Sequence, residues 1–244
     1  MIILYIILAL IALAALWFAI LYVSGLFVDP SKDYDENSRY YRFLLNFSTD
    51  LAMKICRIRI RTSGMDMVPH NGRFLLVSNH LSAFDPLITW HIFKEHDLAF
   101  ISKPENFKVP FFGRIIRKCC FMPIDRQNSE NANVTKERAA ALLKKDEVSV
   151  AVYPEGTRSK TGEMLPFHNG VFNIAKEAGV PIVVMTLKGT PDIKSNYPFH
   201  RSDVDLDVID VIPSEEVCAL SPHETGTRVR DEMTRSLNGQ KSIS

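Results

Sequence analysis

Two residues five positions apart, His80 and Asp85, can do proton chemistry together. They follow an apolar run, Phe74-Leu75-Leu76-Val77-Ser78, that reads as a strand. A carboxylate that accepts from one imidazole nitrogen fixes the tautomer and supports the charge that forms when the other nitrogen takes a proton. That is the equipment of a general base. Alone, the spacing is common, and Asp85 ahead of Pro86 also reads as a helix cap; a carboxylate has acceptor sites enough for both roles. A second apolar run ends in Tyr153-Pro154-Glu155-Gly156-Thr157-Arg158-Ser159. Gly156 frees the backbone to approach a ligand, and nearby amides with Arg158 can cradle an anion. Lys103, in Ser102-Lys103-Pro104-Glu105-Asn106-Phe107-Lys108, and Arg126, in Ile124-Asp125-Arg126, are further cations placed after strands. Phe107, Phe111 and Phe112 sit close to Lys103 and offer an apolar wall.

The elements that must position these residues alternate. Strands are expected over 74–78, 98–101, 121–124, 149–153, 182–187 and 204–211, and helices over 86–95, 131–145, 170–178 and 222–237. The last helix opens on the capping-box pattern Ser221-Pro222-His223-Glu224. Alternation of this kind implies an α/β sheet with helices on its faces. Val204-Asp205-Leu206-Asp207-Val208 alternates apolar and acidic residues, which places that strand near a sheet edge with one wet face. The tail from Gln240 is expected to fray.

Ahead of this region, residues 1–28 carry no charged side chain. At ~1.5 Å per residue such a helix crosses a hydrocarbon core of ~30 Å. No Lys or Arg precedes it, whereas Lys32, Arg39 and Arg42 follow, so the body is expected on the cytoplasmic face. A second helix is expected over about 37–59. Its apolar residues recur at helical spacing, and Arg39, Arg42, Lys54 and Arg57 lie among them. It reads equally as a membrane-surface helix and as one packed on the core. The division is membrane-anchoring helices over 1–60 and an α/β domain over 61–244. A formal net charge of +1 excludes a dominant nucleic-acid footprint. Cys56, Cys119, Cys120 and Cys218 match no zinc or redox spacing and read as reduced thiols.

Taken together, the motifs are more specific than their parts. Residues 79–86 resemble the His-x4-Asp motif of the glycerolipid acyltransferases. Phe121-Met122-Pro123-Ile124-Asp125-Arg126, Tyr153-Pro154-Glu155-Gly156-Thr157-Arg158-Ser159 and Val180-Pro181-Ile182-Val183-Val184 resemble the later blocks, in the family's order. The forms are most similar to the 1-acylglycerol-3-phosphate acyltransferase branch. The resemblance implies the family's α/β fold, a mixed sheet flanked by helices, preceded by an N-terminal membrane-associated helix pair. It implies His80 as base, Asp85 as its support, and Glu155, Gly156, Thr157, Arg158, Lys103 and Arg126 as substrate-binding residues. The implied reaction moves an acyl group from acyl-CoA or acyl-carrier protein to the sn-2 hydroxyl of lysophosphatidic acid, giving phosphatidic acid, with no metal or redox cofactor. Glycerol 3-phosphate or another lysolipid is the alternative acceptor. Membrane lipids are the implied partners, at the inner membrane if the source is bacterial. The pattern departs at Phe167-His168-Asn169-Gly170, where the family often has Phe-Lys-x-Gly, and at Met185, where it often has Pro. No Gly-x-Ser-x-Gly elbow supports a hydrolase.

Overall fold

The computed structural model describes residues 1–239, so the expectation for the tail from Gln240 lies outside the described residues. The chain opens with α1 (Ile2–Leu26) and α2 (Arg39–Ile55). There follow β1 (Ile58–Ser63), β2 (Leu75–Ser78), α3 (Asp85–Ile92), β3 (Leu98–Ser102), α4 (Phe112–Arg117), β4 (Met122–Pro123) and α5 (Ser129–Lys144). The rest is β5 (Ser149–Val152), α6 (Asn173–Ala178), β6 (Ile182–Lys188), α7 (Ile193–Asn196), β7 (Ser202–Ile212), α8 (Ser214–Ala219) and α9 (Pro222–Leu237). The strands form one mixed sheet in the order β1-β7-β6-β2-β5-β3-β4, parallel throughout except between β6 and β7.

Every residue of β2 and β5 is buried, and so are Ile182 to Leu187 of β6. Continuous apolar runs of this kind suit central parallel strands covered on both faces. β7 does alternate, with Val204, Leu206 and Val208 inward. It lies near the sheet edge, as expected, second from it because β1 pairs outside it. Arg61 of β1 holds Asp205 through two bonds of 2.6 and 3.0 Å, and the Ser63 hydroxyl donates to Asp207 at 2.6 Å. Those acidic residues therefore meet a neighbouring strand rather than a free edge. The capping box at Ser221 forms as expected, with Ser221 and Glu224 each accepting the other's amide. All four cysteines are free, and burial pushes the Cys119 and Cys120 thiols up to about 12.

The N-terminal expectation needs correction. One apolar helix is present, not an apolar pair. α1 is the helix among the described residues long and apolar enough to cross a membrane. Its residues 2–16 are exposed, while its last turns pack on the domain. Trp17 donates to Ser48 at 3.2 Å, Tyr41 donates to the Ser24 carbonyl at 2.9 Å, and Arg114 of α4 donates to the Gly25 carbonyl at 3.0 Å. α2 buries Leu44, Leu45 and Met53 and leaves Tyr40, Phe43, Phe47, Leu51 and Ile55 exposed, so it is a core-packed helix with an apolar outer stripe.

Arg42, expected among headgroup-facing cations, is 5% exposed. Its Nε donates to Asn37 at 2.9 Å and pairs with Asp97 at 3.1 Å. Its Nη1 donates to the Leu98 carbonyl at 3.1 Å, and the guanidinium lies over Trp90, 4.6 Å from the ring centroid. Arg42 thus pins α2 to the start of β3. Arg42→Ala leaves the Leu98 carbonyl without this donor and Asp97 with only its longer contact to Arg73, at 3.7 Å. Because Asp97 keeps some contact with water, the expected loss is about 2–3 kcal/mol, below the range for fully buried pairs. Urea denaturation followed by circular dichroism measures it; a loss below about 0.5 kcal/mol would show the contact to be superficial.

Candidate active site

Parallel strands deliver their carboxyl ends to one edge of a sheet. Here β2, β5, β3 and β4 are consecutive neighbours. The segments just past their ends carry His80, Gly156 to Arg158, Lys103 and Arg126, respectively. Topology therefore assembles four stretches that are far apart in sequence.

The turn after β2 is fixed by Asn79, whose amide donates to the Leu187 carbonyl at 3.0 Å and accepts from the Leu187 N–H at 2.8 Å. Next in sequence, His80 places Nδ1 2.8 Å from Oδ2 of Asp85. The same oxygen accepts the Leu81 and Ser82 amides at 2.6 and 2.7 Å. Asp85 is fully buried and heads α3. Its carboxylate turns back to the preceding loop, and Phe84 occupies the N-cap position, so the capping role anticipated for Asp85 is not the one it takes. An ionised Asp85 accepts only, which puts the neutral imidazole's proton on Nδ1 and leaves Nε2 with its lone pair. Tyr153 stacks on the imidazole at 4.3 Å and 20°. Burial, and then the Asp85 charge, hold its phenol well above the usual range.

Glu155 carries two expectations, binding substrate or shaping the turn, and its geometry fits the second: it is buried, with Oε1 accepting the His80 amide and Oε2 the Leu165 amide, both at 2.8 Å. A third strap runs from the Ser159 amide to the His80 carbonyl at 2.8 Å. Glu155 is a brace between the two motif loops. Gly156 has φ +71°, and a Cβ there would lie 2.8 Å from the His168 ring, so the tight turn demands glycine.

A cavity of about 480 Å³ opens on these loops. His80, Lys103, Arg126, Gly156, Thr157 and Arg158 line it, whereas Asp85 and Glu155 stand behind the wall. Lys103, Arg126 and Arg158 form no ion pair among the described residues, and they face one space. The opposite wall is apolar, made by Leu87, Phe100, Ile116, Phe121 and Phe112. Of the phenylalanines expected there, Phe107 is buried beneath Arg117 and Phe111 packs against Tyr22 of α1. Phe112 alone of the three expected phenylalanines reaches the wall, and Leu87, Phe100 and Ile116 join it from α3, β3 and α4 without a local mark in the sequence. Asn79 and Tyr153 also escaped a role, although their places at two strand ends marked them. Chemically, the arrangement pairs a supported imidazole with an anion-attracting, half-apolar cavity.

Burial, the dominant influence, raises the Glu155 carboxyl above its ordinary value despite the two amides. A raised folded pKa means that the folded state holds its proton to higher pH, so this group's stabilising contribution is complete below the unfolded value and is lost as pH rises through the folded one. Relative to Glu155→Gln, the wild-type protein is therefore expected to lose stability as pH rises from about 4.5. Glu155→Gln also turns an NH₂ toward one backbone donor, which costs about 1–3 kcal/mol at neutral pH. Denaturation of both proteins across pH 4 to 8 reads both effects; parallel pH curves would remove the proton linkage assigned to Glu155.

Comparison with known proteins agrees with this architecture. The acyltransferase family model matches residues 59–188, more than half of the 244-residue chain. Over 122 residues the chain is 42% identical to a 1-acyl-sn-glycerol-3-phosphate acyltransferase of Cocos nucifera, covering 49% of this chain and 39% of that protein. It is 28% identical over 234 residues to 1-acyl-sn-glycerol-3-phosphate acyltransferase alpha of Homo sapiens, covering 85% and 82%. The crystal structure of the 1-acyl-sn-glycerophosphate acyltransferase from Thermotoga maritima superposes with a TM-score of 0.69 at 21% identity, covering 94% of this chain and 90% of that one, and so shares the fold. On its sequence blocks, its sheet and its family match, the chain belongs to the acyltransferase family.

Proposed function

We propose that this chain transfers a fatty acyl group from an acyl thioester to the sn-2 hydroxyl of 1-acyl-sn-glycerol 3-phosphate, giving phosphatidic acid. The observation that carries the proposal is the cavity that combines the Asp85-supported His80 with three unpaired cations and an apolar wall. The names of the relatives point the same way. Nε2 of His80 takes the proton of the acceptor hydroxyl as that oxygen bonds to the thioester carbonyl carbon. The tetrahedral adduct collapses by breaking its C–S bond, and the departing thiolate takes the proton from the imidazolium. Asp85 stabilises the imidazolium between the two steps. General-base help of this kind is worth ~10²- to 10⁴-fold. Arg158, Lys103 and Arg126 bind the phosphomonoester, and Arg158 supplies a planar fork that Lys lacks. The apolar wall takes acyl chain, at ~0.8 kcal/mol per buried methylene, which favours an acylated acceptor over glycerol 3-phosphate.

Thiol release from an acyl thioester, measured with and without acceptor, tests these roles. His80→Ala is expected to lower turnover by at least ~10²-fold with the fold intact, and Asp85→Asn by somewhat less. Arg158→Ala is expected to raise the KM for lysophosphatidic acid while sparing acceptor-independent hydrolysis, and Arg158→Lys to recover part of the loss. Near-normal turnover in folded His80→Ala would remove His80 as base. Equal effects of Arg158→Ala on hydrolysis and transfer would make that residue structural.

α1 fits membrane association, and we place the catalytic domain on the cytoplasmic face because Lys32, Arg39 and further cations follow α1 closely. Cysteine labelling at position 2 and at exposed Cys218 in sealed vesicles reads the arrangement. Labelling of Cys218 from the outer face would reverse it.

A further inference from the structure

A second cavity, about 680 Å³, lies against the first. It uses the opposite sides of the same segments. Lys103, Phe112, Ile116 and Arg126 line the reaction cavity, while their chain neighbours Pro104, Phe111, Arg117 and Asp125 line the second. The second cavity holds three cations, Lys108, Arg114 and Arg117, and one carboxylate, Asp125. Asp125 already accepts the Gln127 amide at 2.9 Å.

The cations have donors to spare. Arg114 uses Nη1 on the Gly25 carbonyl. Arg117 uses Nη1 on the Lys32 carbonyl and on Asp33, each at 3.4 Å, and lies over Phe107 at 4.9 Å from the ring centroid. Each guanidinium carries five N–H donors, so most remain unspent. Lys108 is exposed and makes no ion pair among the described residues. Phe107, Val109, Pro110 and Phe111 supply an apolar shelf beside these charges.

The proposed reaction brings two anionic molecules together. The cations of the reaction cavity match the phosphomonoester of the acceptor. The donor also carries phosphate, at the far end of a long amide arm from its thioester. We infer that the second cavity holds the phosphate end of a phosphopantetheine-linked acyl thioester whose thioester reacts at His80. This rests on the acyl-transfer reading above and adds the donor's side to it. Two carriers share that chemistry, coenzyme A and acyl-carrier protein. Separate cavities let the two phosphates bind without competing for one set of cations.

Steady-state kinetics in neutral detergent micelles test the inference, with the full chain and each substrate varied in turn. Lys108→Glu is expected to raise the KM for acyl-CoA by about five- to tenfold, as loss of a charge-assisted contact does. The KM for lysophosphatidic acid is expected to stay within twofold. Lys108→Gln, which removes the charge without reversing it, is expected to shift the donor KM in the same direction by less. An acyl-pantetheine without phosphate is expected to show no difference between wild type and Lys108→Glu. Lys194→Glu makes the same charge change at an exposed position on α7, which lines neither cavity, and is expected to leave both KM values alone. Equal shifts with acyl-CoA and acyl-carrier protein place the shared phosphate on the site, and a shift confined to acyl-CoA places the nucleotide's phosphates there. An unchanged donor KM, a shift confined to the carrier protein, an equal shift for acyl-pantetheine, or an equal effect of Lys194→Glu would overturn the inference. A response seen only on anionic vesicles would reassign the cavity to lipid headgroups and overturn it too. Absence of any acyl transfer by the wild-type protein would instead defeat the acyl-transfer reading itself.

Discussion

One oxygen atom, Oδ2 of Asp85, collects the imidazole of His80 and the amides of Leu81 and Ser82 at 2.6 to 2.8 Å. The carboxylate that carries it is entirely buried, while Oδ1 has no partner among the described residues. A buried charge is tolerated when donors surround it, and removal of a donor is costly. The loop between β2 and α3 must therefore hold its shape, and much of the surrounding structure holds it. Asn79 ties its start to β6, Glu155 and Ser159 tie it to the loop after β5, and Tyr153 covers one face of the imidazole. The site is rigid because a misplaced loop would strand a charge.

Much of this was legible in the sequence where the signal was local. The five-residue spacing of His80 and Asp85 closes within one loop, so the pair could be read before any fold was known. The buried strands β2, β5 and β6 were marked by unbroken apolar runs. The capping box of α9 lies within four residues. β1 was hidden because Arg59 and Arg61 alternate with Ile58 and Ile60 directly after a helix, and the charges read as a continuation of that helix. α4 was hidden because Pro110, a positive φ at Phe111 and Gly113 look like loop chemistry. Long-range facts were not legible at all. Nothing near Glu155 in sequence announces that its acceptors serve His80 and Leu165, 75 positions before it and ten after it. The convergence of Lys103, Arg126 and Arg158 likewise depends on strand order, which no local pattern encodes.

α3 joins the reactive end of the molecule to its membrane end. Asp85 stands at its first residue, and near its last turn Trp90 donates to Asn46 of α2 at 2.6 Å while His91 pairs with Asp50 of α2 at 2.6 Å. Arg42, also on α2, lies over Trp90. Side chains of a helix whose outer face is apolar thus bear on the helix that carries the base's supporting carboxylate. Eight residues span the whole distance, so displacement of α2 has little slack before it reaches Asp85.

The way α1 meets the domain has a mechanical consequence. Trp17, Ser24 and Gly25 bond to α2 and α4 at points spread over more than two helical turns, and the stiff helix continues outward from there. A rod clamped at several points along its base transmits torque, whereas one hung from a flexible tether would swivel freely. With α1 seated in a bilayer, as the proposed function has it, whatever tilt the bilayer imposes on α1 becomes the tilt of the sheet, and the cavity meets the lipid surface at a fixed attitude. Lateral drift in the plane and spin about the membrane normal would remain, so an encounter with the proposed lipid acceptor would become a search in two dimensions by a mouth that is already aimed.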